Sequence, residues 1–528
     1  MSFFSHIFSS AFVLQKAKWR AGDVFVTAGL LAVAFCVSLL SPLHCFSTRL
    51  PSADCAVFLS IGQGILEGKT PYVDFFDHKG PLLYCINALG LFVGGERGVW
   101  FLEFFFLFVS ACFAYKTARI RLGRFSAFFT TGAFFSLLGV YFDSGNIPEE
   151  YALPLMFISL YIYARFFFKS DSNEVAGGGL KSREMFILGA CFGGSLLLKA
   201  NLFAIWAVFT AVIFIREVLR KNYAFVFRYT LWFFVGTAFA ILPFVVYFVA
   251  KGAFSEFLYQ NFTFNFKYAS QARTLALYLR NLELAMGNAA NAAVFVVFSF
   301  LSLLREGKSE RFPFYAAVFL SIIASLLMIL GTPWLGLRNQ LILFPLFSIV
   351  FPFYPISFPR FLGKWSRIFP IFFFILLFSF PLYEGLKTAR GIMRPAGVET
   401  HGFTRRKMER VCSAVAGNVR TGETVTTLGN NCSMYFYTGL VSFSASKYIY
   451  QLPTGEIDGR IAREYEADIL ARKPKLIFVA WPYVERLPGS EEDMVAVRRL
   501  FPRIASLLET EYAKLHVEKG LAVVFERR

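Results

Sequence analysis

Charged side chains are scarce in this sequence. Of its 528 residues 17% are Asp, Glu, Lys or Arg, where a soluble chain carries about 25%. Hydrophobic residues make up 56% and aromatic ones 19%, with 68 Phe, and the mean hydropathy is +0.55. This balance excludes a disordered chain, a fibre and a secreted disulfide scaffold, and it describes a multi-span membrane protein. Histidine is scarce too, at five, and the eight cysteines form no CxxC. No HxxxH pair offers metal-ligand spacing either. A phosphate-cradling Gly-rich loop with Lys, a GxSxG, an HExxH and a Rossmann fingerprint are all missing, which argues against an ATP-driven pump. The 53 Lys and Arg against 35 Asp and Glu give a net charge of +18. They are spread through short loops between apolar runs and build no basic face, so a nucleic-acid partner is not indicated.

What the chain has instead is long apolar runs. Residues 1–20 are amphipathic and Phe-rich and end in Lys16, Lys18 and Arg20. No small-residue cleavage site follows a short apolar core, so a removed signal peptide is not expected. Residues 23–40 are the first expected span, near the ~20 residues a bilayer requires. Further runs lie near 98–116, 125–142, 151–168, 185–200, 202–215, 229–250, 288–304, 312–331, 340–356 and 367–384. The short run 80–95 sets the parity of all that follows. If it does not span, the segments on the N-terminal side hold 21 Lys and Arg and the opposite loops hold 9. The other parity would put the basic loops outside, against the positive-inside rule. The expectation is therefore about eleven transmembrane helices, with 80–95 re-entrant or interfacial. The N-terminus is then cytoplasmic and the C-terminus extracytoplasmic.

Residues 386–528 change character. Charge rises to 22 basic and 16 acidic positions, and apolar runs shorten to strand length. Residues 423–428 and 475–480 read as strands, 457–472 and 491–508 as helices. Residues 512–517 and 521–526 form a closing hairpin turning at Lys519-Gly520. The expected organisation is a transmembrane portion, 1–385, followed by an extracytoplasmic soluble α/β domain, 386–528. No repeat of fixed period is present.

Acidic groups beside a bilayer are costly unless they serve something, and here they gather on the expected outer face. In the first outer loop, 41–80, Asp54 opens a helix with Phe58, Ile61 and Ile65 at helical spacing, as in a helix lying in the interface. A helix cap and a site carboxylate are both open for Asp54. Asp74, Asp77, His78 and Lys79 then crowd together before Gly80-Pro81. They read either as a solvated turn or as a cluster in which Lys79 neutralises a phosphate and carboxylates orient an acceptor or a metal. Glu149 and Glu150 follow Pro148 in a helical first turn, which the helix dipole favours on structural grounds alone. Residues 251–280 hold aromatic and amide side chains, including Tyr259, Gln260, Asn261, Asn265 and Tyr268, and belt aromatics are the plain reading. Arg338, Lys199 and Asn201 sit at span ends, where snorkelling and phosphate clamping are both open. Cys36, Cys112 and Cys191 fall in apolar runs. The pairs Cys45–Cys55 and Cys412–Cys432 are disulfide candidates if their segments face an oxidising compartment.

The segment GKTPYVDFFDHKGPLLY, residues 68–84, resembles the bacterial C-type glycosyltransferases, the GT-C superfamily that includes protein O-mannosyltransferases and the lipid A aminoarabinose transferase. Members similar to this chain carry an acidic residue in the first outer loop, a pY-D-x-x-DHKGPL segment and a later GN-x-x-EE-Y segment. Here these are Asp54, residues 71–82 and residues 145–151. Many relatives have a His-Tyr pair where this chain has Asn339-Gln340. The resemblance covers the membrane portion. It implies transfer of a sugar from a polyprenyl-phosphate donor to an envelope glycan, lipid or protein acceptor on the outer face of the bacterial inner membrane, with inversion. Asp54, with Glu149 or Glu150, would be catalytic. Asp74, Asp77, His78, Lys79 and Arg338 would bind substrate. A divalent metal, Mg or Mn, is left open, since some relatives use one and others do not.

Three alternatives compete. A transporter or flippase predicts pseudo-symmetric halves and broken midplane helices. A polysaccharide polymerase or ligase predicts paired arginines in a large late outer loop. A non-catalytic assembly subunit would use the C-terminal portion for docking.

Overall fold

A computed structural model describes residues 21–47, 49–142, 145–169, 179–271, 279–281, 290–305, 307, 309–331, 337–353, 404–429, 432–450, 459–479, 497–498, 501–518 and 521–528. The described membrane portion is helical. In chain order the helices are α1 (Ala21–Ser38), α2 (Ala53–Leu66), α3 (Pro81–Ala118), α4 (Arg124–Tyr141), α5 (Pro148–Lys169), α6 (Ser182–Leu196), α7 (Ala204–Leu219) and α8 (Tyr223–Ala250). Then come α9 (Phe254–Leu258), a π turn (Tyr259–Thr263), α10 (Phe264–Gln271), α11 (Ala290–Arg305), α12 (Phe312–Leu330), a 3-10 turn (Leu337–Leu343) and α13 (Phe344–Phe353). Among the described residues, α3, α5, α8 and α12 are long and apolar enough to cross a bilayer by themselves. The expected span at 340–356 opens as the 3-10 turn rather than as α-helix. The run at 367–384 lies outside the described residues.

The run 80–95 and the following span form one unit, α3, broken at Gly94 (φ −167°) and Gly95 (φ 60°). The left-handed φ of Gly95 suits glycine, and the break folds the two limbs onto each other. A Cβ on Gly98 would stand 2.0 Å from the Gly90 carbonyl oxygen, so the backbones touch there. The start of the short limb is held from outside: Gly80 N–H donates to Leu198 O (3.0 Å) and Leu82 N–H to Leu197 O (3.0 Å). Those bonds satisfy N–H groups that a helix N-terminus leaves free, while Pro81 at the first position has none to satisfy. Gly80 is needed for the approach, since a Cβ there would meet Leu197 O at 2.0 Å. This joint sets Lys79 beside Lys199.

The two ends of the bundle differ in chemistry. At one end Arg124 pairs with Asp23 (3.1 Å) and Arg165 with Glu184 (3.2 Å). Arg121 and Arg311 both lie over the Phe168 ring, and Arg216 lies over Phe166 and Phe167. Guanidinium faces stack well on aromatic rings, so the basic loops grouped by charge counting do meet in space. The other end carries α2, the α3 turn, the start of α5, the α6–α7 loop and the residues after α8.

A four-stranded sheet sits on that second end. Its strands are β1 (Val425–Leu428), β2 (Leu476–Val479), β3 (Tyr512–Glu518) and β4 (Ala522–Arg527), in the order β1-β2-β4-β3. β1 and β2 are parallel and the other pairs antiparallel. Helices α14 (Arg405–Val415), α15 (Ser433–Thr438), α16 (Gly459–Arg472) and α17 (Pro502–Glu511) pack on it. The β3–β4 pairing matches the expected hairpin, whose turn lies outside the described residues.

Two expectations are corrected here. Helix α2 does not lie in the interface with one face in lipid. Cys55, Ala56, Val57, Phe58, Leu59, Ser60, Ile61 and Gly62 are all buried, because α3 packs against it on one side and α15 with the turn Val441–Phe443 covers it on the other. All eight cysteines are free, so neither Cys45–Cys55 nor Cys412–Cys432 is a disulfide. Cys55 Sγ accepts from Asn146 (3.2 Å), whereas the Cys412 and Cys432 thiols donate to different carbonyls, of Tyr437 and Ile449.

The Gly90–Gly98 contact leaves no room for a methyl group. Gly98→Ala is expected to destabilise the protein by about 1–3 kcal/mol or more, the usual range for overpacking. Gly123→Ala, with open space around it, is expected to be near neutral; thermal unfolding of both variants in detergent checks this.

Candidate active site

Asp54 is not the cap of α2. Ser52 fills that role, its hydroxyl accepting from Cys55 N–H (3.3 Å). Asp54 is free to point across the loop, where its Oδ2 lies 2.6 Å from Arg338 Nη1. Burial alone would raise the Asp54 carboxyl, but Arg338, then Lys79, His78 and Lys199, outweigh it and hold it below the usual carboxylate value. Those four groups therefore act on one carboxylate, although they come from three separate stretches of chain.

Lys79 Nζ donates to His78 Nε2 at 2.6 Å. Burial, then the neighbouring Lys79 charge, push His78 well below the ordinary imidazole value. The ring is thus neutral, with its proton on Nδ1, 3.5 Å from Asp77 Oδ1. Burial lowers Lys79 as well, while Asp77 and Asp54 partly hold it up. Lys199, at the joint between α6 and α7, sits 2.5 Å from Glu149 Oε1. Glu149 also feels Arg338, which brings both ion pairs into one field. Six side chains therefore converge: Asp54, His78, Lys79, Glu149, Lys199 and Arg338. Three basic groups, Lys79, Lys199 and Arg338, meet the carboxylates of Asp54 and Glu149 here, with Asp77 acting on Lys79 from behind.

Four of the expected site residues that the structure places here are Asp54, His78, Lys79 and Arg338, with Glu149 as a fifth. Glu150 is not among them. It is fully buried on the other side of α5, with Oε2 accepting from Asn146 N–H (2.9 Å), and that same N–H reaches Glu103. Consecutive helical residues differ by about 100° around the axis, so both cannot face one cavity. Asp74 closes a local turn by accepting from Thr70 N–H (2.7 Å). Asp77 is 2% exposed and occupied by the Tyr84 and Tyr450 hydroxyls, both at 2.7 Å. For Lys199 the sequence leaves snorkelling and phosphate clamping both open, and nothing in its neighbourhood marks Glu149 as its partner. The belt reading of the aromatics at 251–280 gives the amides among them no role, yet Gln260 and Asn265 donate to the carbonyls of Tyr72 (2.7 Å) and His78 (2.8 Å).

Among the described residues no group of three or more His, Cys, Asp or Glu is placed to hold a metal. Asp54 and Glu149 each face a side-chain cation.

Two outcomes follow from these contacts. Glu149 is 3% exposed, and Lys199→Ala strands it. Breaking such a buried pair costs about 3–5 kcal/mol, and the double variant Lys199→Ala/Glu149→Gln is expected to recover much of it in thermal unfolding. The second outcome concerns pH. Folding depresses His78 below its ordinary value of 6.5, so the unfolded chain binds the proton first, and stability declines as pH falls below about 6.5. His44 is depressed too, by burial and then Arg49 and Arg405. Asp54 loses its contribution only below its ordinary value of 3.8. The slope of melting temperature between pH 7.5 and about 5 should flatten in His78→Gln, and further in the double variant with His44→Gln.

Comparison with solved structures agrees with this architecture. ArnT, the lipid A aminoarabinose transferase, from Cupriavidus metallidurans bound to undecaprenyl phosphate superposes with a TM-score of 0.61 at 12% identity, covering 95% of this chain and 97% of that one. The oligosaccharyltransferase AglB from Archaeoglobus fulgidus, in complex with an inhibitory peptide and a dolichol-phosphate, gives 0.52 at 11% identity over 86% of this chain and 69% of that one. The Archaeoglobus fulgidus oligosaccharyltransferase in complex with Zn and sulfate gives 0.51 at 12% identity over 86% and 68%. No curated protein matches in sequence. A family model does: that of the competence-induced protein Ccs4 N-terminal domain matches residues 15–357. With well over half its length accounted for in this way, the chain belongs to the Ccs4 N-terminal domain family.

Proposed function

We propose that the protein is an integral membrane glycosyltransferase that moves a sugar from a polyprenyl-phosphate donor to an envelope acceptor outside the cytoplasm. The observation that carries this reading is the Asp54–Arg338 ion pair of 2.6 Å set beside Lys79 and Lys199. A polyprenyl-phosphate sugar is a phosphodiester with one negative charge, and its tail must stay in the lipid. When the sugar leaves, the phosphate becomes a monoester and gains charge. Three basic side chains gathered at the end of an apolar bundle, able to turn to an incoming phosphate, favour that product and the transition state leading to it.

In this reading Arg338 and Lys79 hold the donor phosphate. Drawing Arg338 to the phosphate loosens its grip on Asp54 and restores the carboxylate's basicity, so donor binding itself would prepare the base. An acceptor hydroxyl oxygen then bonds to the anomeric carbon as the bond from that carbon to the phosphate oxygen breaks. The electron pair leaves with the phosphate, and the hydroxyl proton passes to Asp54. One attack from the side opposite the phosphate inverts the anomeric centre. Glu149, kept ionised by Lys199, orients the acceptor or the sugar. No step calls on a metal ion.

The sides of the membrane are assigned by the basic loops, which belong in the cytoplasm. That puts the bacterial inner membrane portion at 1–385 and the domain at 386–528 on the periplasmic face, over the site. The undecaprenyl phosphate bound to ArnT and the dolichol-phosphate bound to AglB support a lipid-phosphate carrier for the donor.

The test is donor turnover by the purified full chain with polyprenyl-phosphate sugars. Asp54→Asn and Lys79→Ala are each expected to lower turnover by about 100-fold to 1,000-fold, as loss of a proton acceptor or of a charge-stabilising donor does. Wild-type turnover in both variants would refute the site. Substrate flux in liposomes without any donor turnover would favour a transporter.

A further inference from the structure

The segment 76–79 is tied at almost every polar atom, and part of the binding comes from the far end of the chain. Phe76 N–H donates to Lys447 O (2.8 Å), and Asp77 N–H to Gln260 Oε1 (3.2 Å). The His78 carbonyl accepts from Asn265 Nδ2 (2.8 Å), and the Lys79 carbonyl from Tyr72 (2.7 Å) and Tyr84 (3.2 Å). At the centre is Asp77, whose carboxylate takes the hydroxyl of Tyr84 on one oxygen and that of Tyr450 on the other, each at 2.7 Å. Its Oδ1 also accepts from His78 N–H (2.8 Å).

A buried carboxylate is stable only when its lone pairs are satisfied. Tyr84 belongs to α3 and is fixed to the membrane portion. Tyr450 belongs to the sheet-bearing unit, and with the Phe76–Lys447 bond and the Phe76–Tyr448 ring contact (5.2 Å) it joins that unit to the segment. Asp77 is therefore an anchor between the two parts of the chain. The residues directly after it are His78 and Lys79.

We propose that Tyr450 is a positioning residue: through Asp77 its hydroxyl fixes the direction of His78 and Lys79 toward Asp54 and Arg338, so the C-terminal unit completes the anion end of the site. The consequence for turnover rests on the function proposed above, but the placement of Lys79 does not. Removing the hydroxyl leaves the ring and its packing in place and leaves Asp77 Oδ1 with the His78 N–H as its remaining donor. That oxygen then competes for the Lys79 ammonium, and Lys79 turns away from the phosphate position.

The experiment compares Tyr450→Phe with wild type in the full-length protein, with Tyr448→Phe as control. Tyr448 donates its hydroxyl to Glu464 within the C-terminal unit, so its loss removes a hydroxyl without touching Asp77. Amine labelling read by mass spectrometry is expected to show a several-fold change in Lys79 reactivity in Tyr450→Phe, with Lys199 unchanged and the control like wild type. Donor turnover is expected to fall by about 10-fold to 100-fold, the worth of one hydrogen bond to a charged group. Combining Tyr450→Phe with Lys79→Ala should add nothing to Lys79→Ala alone, because both act through one side chain. Unchanged Lys79 labelling overturns the proposal, as does a turnover loss that adds fully to that of Lys79→Ala. If wild type turns over no donor while Lys79 labelling responds to Tyr450→Phe, the positioning stands and the proposed reaction falls.

Discussion

The contact of 2.6 Å between Asp54 and Arg338 expresses a constraint that organises this whole end of the molecule. Charged groups at the mouth of an apolar bundle must find partners, because neither lipid nor packed Phe can solvate them. The pairing joins the first turn of α2 to the 3-10 turn before α13. Glu149 and Lys199 repeat the same solution between α5 and the α6–α7 joint. Glu103 and Glu150, with no cation between them, share the Asn146 N–H instead. Once each carboxylate has its partner, the loops that carry them have little freedom left. The rest of the site follows from that closure.

The segment 76–82 shows how structure and chemistry divide a short motif between them. Asp77 works as an internal anchor, and Gly80 with Pro81 makes a helix start that fits against Leu197 and Leu198. His78 and Lys79 alone face the cluster. A motif of this kind stays together because its structural members set the direction of its chemical ones. The packing around it is aromatic on all sides, with Phe76 against Phe264 and Tyr448, and Tyr72 against Phe248 and Phe257. Such rings add a preferred geometry to the area they bury.

Similarity to solved GT-C structures at 11–12% identity is what membrane bundles allow. Apolar side chains exchange freely as long as volume and patterning are kept, so the path of the chain outlasts its sequence. The same freedom means that a shared fold does not fix a reaction. Here the chemistry has to be argued from six side chains and their charges, and the family to which the chain belongs does not supply it.

Much of the architecture was written in the sequence. Among the described residues most apolar runs marked helices to within a few residues, with 340–356 opening as a 3-10 turn, and the Lys and Arg of the loops grouped the ends that the structure brings together. Short alternating segments marked the strands of the sheet. These signals are local, and hydrophobic periodicity and charge bias act within a turn or a loop. What no local signal carried was the pairing: which carboxylate meets which cation, that Glu149 faces the cluster while Glu150 turns to Glu103, and that Asp77 answers to Tyr450. It also did not carry the burial of α2, since a helix covered on both sides has the same sequence pattern as one lying in lipid. Those outcomes depend on which parts of the chain stack against each other, and electrostatic partners separated by hundreds of residues are chosen only when the helices and the sheet have closed around them.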